Sequence, residues 1–335
     1  MSYIDDVFCE GGILARHFDA YEMREGQVQL ARAIDAAFER GSHILAEGPT
    51  GTGKALAYSV PAIFHASQKN RRILIVTANI ALQEQLCYKD LPLLVDLLPW
   101  EFSYELVKGK SNYLCLDRLA QETSGASLDL PGFDDGDDRY RELLAWACET
   151  STGDVSDLGF QPSRALWSRF SVTSHRCKAG DCRYRDECFA YMARERAESA
   201  DIVVTNYHLL FVHLLVREAT SLDLILPPFD LVVCDEGHRA PDIARDFFGY
   251  RVMPRNLRWV ARRLRGIGQR ELAGYLAMEG EKFFGSLAAY RESNAYKARI
   301  KQPGAVDSAP VIEFLRRAEW ASKHAMAACE EPKKR

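Results

Sequence analysis

Glu47-Gly48-Pro49-Thr50-Gly51-Thr52-Gly53-Lys54-Ala55 decides how this sequence folds. It contains G-x-x-x-x-G-K, in which glycines let the backbone wrap closely and aim N–H groups at phosphate oxygens. Lys54 stands where an ammonium reaches the β and γ phosphates of a nucleotide. The pattern calls next for Ser or Thr, whose hydroxyl binds Mg²⁺, and here the residue is Ala55. Nucleotide binding is expected to survive this change, with weaker metal placement; water or Thr52 is the available substitute.

Outward from the loop, the pattern alternates strands and helices. His43 to Ala46 is a short apolar stretch expected to be a strand leading into the loop. Before it, Val28, Ala31, Ile34 and Phe38 recur at helical spacing over Glu25 to Glu39. After it, a helix is expected over Lys54 to His65, bent or ended by Pro61. Arg72 to Thr77 reads as a buried strand and Ile80 to Leu86 as the start of another helix. Such repetition predicts an α/β fold with a parallel sheet covered on both faces.

The pattern weakens after Val107 and resumes at Asp201 to Thr205 and Asp230 to Cys234, two further strands. Residues 107–199 therefore read as an insert within one α/β domain. Within it, Ser124 to Asp138 is expected to be a loop, Arg139 to Glu149 a short helix, Gly153 to Arg176 irregular and Arg185 to Glu198 helical. From about Asp246 onward only helices are expected: Arg255 to Arg270, Glu281 to Lys297 and Val311 to Cys329.

The strand ending at Cys234 runs into Asp235-Glu236-Gly237-His238. Carboxylates at the C-terminal end of a strand stand where α/β folds bind ligands. Asp235 suits Mg²⁺, directly or through water, and Glu236 suits orienting and deprotonating a water. His238 is placed to sense the nucleotide or couple it to another site.

The 335 residues are enough for two domains, and 47% apolar content with 27% charge excludes global disorder. The net charge of −4 excludes a uniformly basic nucleic-acid binder but allows a local basic groove. No apolar run is long enough for a membrane span, and Met1 to Glu10 lacks a signal-peptide pattern, so a cytoplasmic protein is expected. There are nine cysteines, an odd count that argues against a disulfide scaffold. Cys177, Cys182 and Cys188 cluster as C-x4-C-x5-C, and Cys115 lies upstream. Four thiolates suit either tetrahedral zinc or an iron–sulfur cluster, and the spacing matches neither zinc ribbons nor compact ferredoxin runs. Arg176, Lys178, Arg183 and Arg185 surround this set; Cys9, Cys87, Cys148, Cys234 and Cys329 read as structural.

Taken together, these residues resemble the iron–sulfur helicases of the DinG/XPD type, most closely the DinG branch. Tyr21 to Gln27 looks like the family's adenine-recognition motif, with Arg24 and Gln27 on the adenine side. Glu47 to Lys54 looks like motif I, so Gly48, Pro49, Thr50, Gly51, Thr52, Gly53 and Lys54 are implied to hold ATP. Thr77-Ala78-Asn79 and Leu82 to Leu86 look like motif Ia, which contacts a DNA strand. Lys108 to Cys115 resembles the entry into the family's iron–sulfur domain, and Cys115, Cys177, Cys182 and Cys188 are then implied to ligate a [4Fe–4S] cluster. Thr205 to His208 matches the return to the motor, and Asp235 to His238 resembles motif II in its DEGH form.

The resemblance implies a P-loop, RecA-like helicase domain 1 in two parts, residues 1–106 and 200–245. An iron–sulfur insert spans 107–199, and a partial helical arch spans 246–335. It implies an ATP- and Mg²⁺-dependent 5′–3′ DNA helicase of repair or replication, acting on single-stranded or forked DNA as a monomer. The second motor domain, with its arginine finger, is missing from the sequence, so poor hydrolysis by this chain alone is expected. The alternative is a catalytically deficient iron–sulfur module that binds DNA or protein. Seven arginines and no acid occur from Arg251 to Arg270, suiting either a single-strand path or a solvated helix face, and Trp259 suits base stacking or packing.

Overall fold

The computed structural model describes residues 2–49, 51–124, 138–249, 253–266 and 268–288, and 309, 312, 313, 316, 319 and 320. Thr50, Arg251, Cys329 and nearly all of the 124–138 loop lie outside these residues, as do the end of the expected 281–297 helix and most of the 311–329 helix. The chain divides into two compact units, Met1–Phe248 and Gly249–Arg335.

The first unit starts with α1 (Tyr3–Phe8), α2 (Ile13–His17), α3 (Glu25–Arg40) and α4 (Lys54–Lys69). Strand β1 (Ile73–Thr77), helices α5 (Ile80–Gln85) and α6 (Leu91–Leu97) and strand β2 (Tyr104–Leu106) follow. The chain then leaves the sheet for α7 (Leu116–Thr123), α8 (Asp138–Glu149), α9 (Arg164–Phe170) and α10 (Phe189–Ser199). It returns as β3 (Ile202–Asn206), α11 (Tyr207–Thr220), β4 (Leu231–Cys234) and α12 (Ala240–Phe248).

All strand pairs are parallel, in the order β2-β3-β1-β4. Side chains alternate across a strand, so the sheet feeds two cores. Ile73, Ile75, Ile202 and Val204 face α1, α3, α4 and α6, where Phe8, Ala31 and Ile63 are fully buried. Leu74, Val76 and Val203 face the opposite layer, with Tyr207, Leu209 and Leu210 of α11. Two asparagines turn strands into helices: Asn79 Oδ1 accepts the Leu82 N–H at 3.0 Å after β1, and Asn206 Oδ1 accepts the Leu209 N–H at 3.0 Å after β3.

Three local expectations are corrected. His43 to Ala46 pairs with no strand among the described residues, and Leu45 is fully exposed. Apolar content favours a strand but hydrogen-bonded neighbours make one, and this stretch pairs neither with β1, which lies between β3 and β4, nor with the edge strands β2 and β4. Helix α4 passes through Pro61 to Lys69, because its buried face, Ala57 to Ile63, is held against the sheet. The 153–176 stretch contains a regular helix, α9, capped by the Ser163 hydroxyl, which accepts the Leu166 N–H. Its Leu166 and Phe170 build a separate insert core with Leu114, Leu143, Ala147 and Leu158.

That insert is tied to the sheet layer by Lys108, whose side chain is completely buried. Its ammonium donates to Glu84 Oε1 of α5 at 2.9 Å, to Asp154 Oδ1 at 3.0 Å and to Ser156 Oγ at 2.6 Å. Burial alone would raise the Glu84 carboxyl; the Ser156 hydroxyl and Lys108 outweigh it and hold the group below its ordinary range. Asp154 bridges to Tyr113, two residues before Cys115.

The second unit contains α13 (Pro254–Gly266) and α14 (Arg270–Ala288), which share a core of Leu257, Ala261, Leu264, Ala273 and Leu276.

Removing one member of a buried ion pair strands the other charge, which costs roughly 3–5 kcal/mol, whereas an exposed pair is worth under about 1 kcal/mol. Lys108→Met is therefore expected to lower unfolding stability several-fold more than Arg196→Ala, which breaks the exposed pair with Glu105. Urea denaturation followed by circular dichroism compares them; equal losses would contradict the buried joint.

Candidate functional site

Sequence-distant residues meet at the C-terminal ends of the strands. The phosphate loop enters α4 through Gly53, whose φ of 73° is left-handed. A Cβ there would lie 2.2 Å from Gln27 Nε2, so glycine is required both by conformation and by space. Gln27 is buried and donates from Nε2 to the Gly53 carbonyl at 3.0 Å. Arg24 donates to the Gly51 carbonyl. Both residues thus brace the loop from behind. Thr52 Oγ1 donates to the Pro49 carbonyl at 2.9 Å, and Ala55 packs partly into the sheet-side core.

Lys54 Nζ lies 3.4 Å from the Gly48 carbonyl and 3.2 Å from Glu236 Oε1. Loop and acidic turn, 182 positions apart, therefore share one ion pair. Glu236 adopts φ 51°, a left-handed conformation that swings its carboxylate toward the loop. Its other oxygen is 3.4 Å from His238 Nδ1. Asp235 is fixed by its backbone: its N–H donates to the Val76 carbonyl at 2.8 Å, and its carbonyl accepts the Tyr207 hydroxyl at 2.9 Å. Burial, and next the Glu236 charge, push the Asp235 carboxyl above its ordinary range. Gly48, Gly51, Gly53, Lys54, Asp235, Glu236 and His238 are thus gathered, with Arg24 and Gln27 behind them.

A second site forms in the insert. Cys115, Cys177, Cys182 and Cys188 all line one cavity of about 170 Å³. Lys110, Asp117, Arg118, Arg176, Lys178 and Arg185 line it as well. Among the described residues, no three of the four sulfurs come within 4.8 Å of one another. A single zinc would hold its sulfurs about 3.8 Å apart, given tetrahedral Zn–S bonds of about 2.3 Å. Backbone N–H groups already address the thiols: Ala179 N–H donates to Cys177 Sγ at 3.4 Å. Burial raises the Cys115 thiol, while the N–H groups of Arg118 and Asp117 oppose that rise. Lys178 pairs with Asp117 at 2.9 Å, and Arg183 lies over the Tyr184 ring rather than on the cavity wall.

Sequence reasoning did not single out Asp35, Glu39 and His65, which offer ligand atoms within 4.8 Å of one another. His65 Nε2 lies 3.0 Å from Asp35 Oδ1, and Lys69 Nζ lies 3.1 Å from Glu39 Oε1. This set could take a metal ion, but Lys69 already supplies the positive charge that Glu39 needs. Asp35 and Glu39 at helical spacing were visible in the sequence; His65, on another helix, was not.

In the second unit, Arg255, Arg258, Arg262, Arg263 and Arg265 of α13 are all exposed. Trp259 is 56% exposed, with the Arg263 guanidinium 5.3 Å from its ring centre. No helix among the described residues is long and apolar enough to cross a membrane.

Comparison with known proteins adds sequence relationships to this geometry. The DEAD/DEAH box helicase family model matches residues 27–112. The ATP-dependent DNA helicase YoaA of Escherichia coli (strain K12) is 35% identical over 254 residues, covering 75% of this chain and 38% of that protein. The ATP-dependent helicase DinG of Mycobacterium tuberculosis (strain ATCC 25618 / H37Rv) is 35% identical over 263 residues, covering 72% and 38%. An XPD helicase structure aligns over 92% of this chain and 48% of its own at 13% identity and a TM-score of 0.45. The chain thus spans about two fifths of the length of these curated relatives.

A raised acid pKa means the folded state holds its proton more tightly than the unfolded state. That stabilisation is complete below the unfolded pKa of about 3.9 and is lost as pH rises through the raised folded value. Ionised Asp235 is therefore a liability at neutral pH without a cation. Asp235→Asn is expected to melt at a higher temperature than wild type near neutrality, and the difference should shrink toward about pH 4. Added Mg²⁺ should stabilise wild type only. Differential scanning calorimetry across pH decides this; a variant less stable at neutral pH would contradict it.

Proposed function

The chain is a homologue of the DinG/XPD-type DNA helicases, and we propose that it forms the nucleotide-binding part of an ATP-dependent helicase acting in DNA repair or replication. The meeting of Lys54 with Glu236 carries this reading, because it brings phosphate loop and acidic turn to one strand edge. Residues 1–106 and 200–245 are the two parts of a RecA-like motor domain, 107–199 an iron–sulfur insert and 246–335 a helical arch segment. Relatives about twice as long leave room for the second motor domain that coupled unwinding requires.

The backbone of Gly48 to Lys54, with Pro49, Thr50 and Thr52, cradles the ATP phosphates. Arg24 and Gln27 brace that loop and lie on the adenine side. Lys54 exchanges its pairing with Glu236 for the β and γ phosphates as ATP enters. Glu236, released, orients the attacking water and takes its proton. His238, 3.4 Å from the same carboxylate, reports its state. Asp235 would hold Mg²⁺, which screens phosphate charge; Ala55 contributes no oxygen, so Asp235, Thr52 and water carry that task. This departure favours, as the second reading, a module that binds nucleotide and DNA but hydrolyses poorly.

Cys115, Cys177, Cys182 and Cys188 would hold a [4Fe–4S] cluster. Their sulfurs stand too far apart for one zinc and surround a cavity that fits a larger group, which supports this reading. Single-stranded or forked DNA is the proposed partner. The arginines of α13 and the exposed Trp259 suit phosphates and a stacked base. A cytoplasmic monomer working 5′–3′ completes the proposal; free thiols among the described cysteines suit a reducing compartment.

Two measurements test it. Anaerobically purified protein is expected to show a broad band at about 400 nm, with about four irons and four sulfides per chain. One zinc and no iron would remove the iron–sulfur assignment and leave the phosphate loop standing. Lys54→Ala is expected to weaken ATP binding at least about tenfold, whereas Glu236→Gln binds ATP at least as well as wild type and loses residual hydrolysis. Fluorescent-nucleotide titration with phosphate-release assays reads both; equal hydrolysis in wild type and Glu236→Gln would sink the role of Glu236.

A further inference from the structure

Lys110 belongs to neither the phosphate loop nor the four-cysteine set. Its ammonium lies 3.4 Å from Cys177 Sγ, within hydrogen-bonding reach for sulfur. The same group sits 4.8 Å from the centre of the Tyr191 ring. Arg185 stands 4.6 Å from that ring centre and also lines the cysteine cavity. The aromatic face, negative in its quadrupole, holds Lys110 between ring and sulfur. Among the described residues no carboxylate is paired with Lys110, although Lys178 on the same wall is paired with Asp117. Lys110 is therefore aimed at the thiolate set.

We propose that Lys110 is a positioning residue that sets the reduction potential of the group held by Cys115, Cys177, Cys182 and Cys188. This rests on the iron–sulfur reading of that site. Four thiolates around a [4Fe–4S] core give a net negative assembly, and taking up one electron adds another negative charge. A cation donating to a ligand sulfur stabilises the reduced form more than the oxidised form, so it raises the potential. Tyr191 keeps the ammonium in place, and Ala179 N–H adds a second donor to the same sulfur. Neutralising Lys110 must then lower the potential, with no demand on DNA or ATP.

The experiment is a dithionite redox titration of the reconstituted full chain, followed by electron paramagnetic resonance, with iron and sulfide counted in each sample. Lys110→Met and Lys110→Gln are expected to lower the ratio of reduced to oxidised cluster about tenfold at fixed potential. For a one-electron couple that is a midpoint about 59 mV more negative. Lys110→Arg keeps the charge and is expected to stay within about twofold of wild type. If neither neutral variant takes up iron while Lys110→Arg loads normally, the charge serves to assemble the cluster rather than to set its potential, and the proposal is overturned. Equal potentials in wild type and the neutral variants overturn it. So does a loss of loading in all three variants, which would make Lys110 a packing residue. Wild type without iron or sulfide defeats the iron–sulfur reading itself, an outcome read separately from any difference among variants.

Discussion

The Lys108 ammonium has no access to water, so its charge must be answered entirely by protein. Glu84, Asp154 and Ser156 answer it from two different layers. Glu84 rides on α5, the helix that leaves the end of β1, while Asp154 belongs to the insert and bridges to Tyr113. Desolvation makes the joint all-or-none: a buried cation with a partner missing costs far more than its pair gains when complete. The insert, which has its own core around Phe170 and Leu143, is therefore not simply tethered by its two chain crossings. Its position relative to β1 and α5 is fixed by charge, and the frame around Cys115 inherits that position.

The sheet edge obeys a related constraint. Parallel strands end together, and each end must hand its chain to a helix. Asn79 and Asn206 make that turn by capping, while Gly53, which follows no strand among the described residues, opens α4 by accepting a left-handed backbone. Asp235 is placed by its backbone bonds to Val76 and Tyr207 rather than by its side chain. Its carboxylate accepts the Glu236 N–H, yet burial and the Glu236 charge still raise its pKa. Lys54 and Glu236 neutralise one another across the same edge, so an arriving phosphate competes for Lys54 directly.

Much of this was legible in the residues because it depends on local order. The glycine spacing of the loop, the apolar runs of β1, β3 and β4 and the helical repeat of α3 are local. The grouping of the four cysteines at one cavity was legible from the clustering of Cys177, Cys182 and Cys188, with Cys115 added from far upstream. Lys108, Lys110 and His65 were not legible in their roles, since each is defined by partners 24 to 67 positions away. The expected strand at His43 to Ala46 failed for the same reason: its apolar residues were visible, its lack of a neighbour was not. Helix α9 was missed because its start is a serine cap within an otherwise irregular composition.

Charge explains how an acidic chain can present both sites. The net charge of −4 is an average over segments of opposite character. In the insert, two cations stand against one ring beside the thiols: Lys110 is half-buried and Arg185 exposed, and both lie over Tyr191. On α13 they face outward: five arginines are exposed on a helix whose Leu257, Ala261 and Leu264 are buried. A half-buried cation in contact with one sulfur is screened less than an outward row, which salt screens within about 8–10 Å and which suits a polyanion along its length. Salt is therefore expected to weaken any polyanion contact of α13 more than the contact between Lys110 and the Cys177 sulfur.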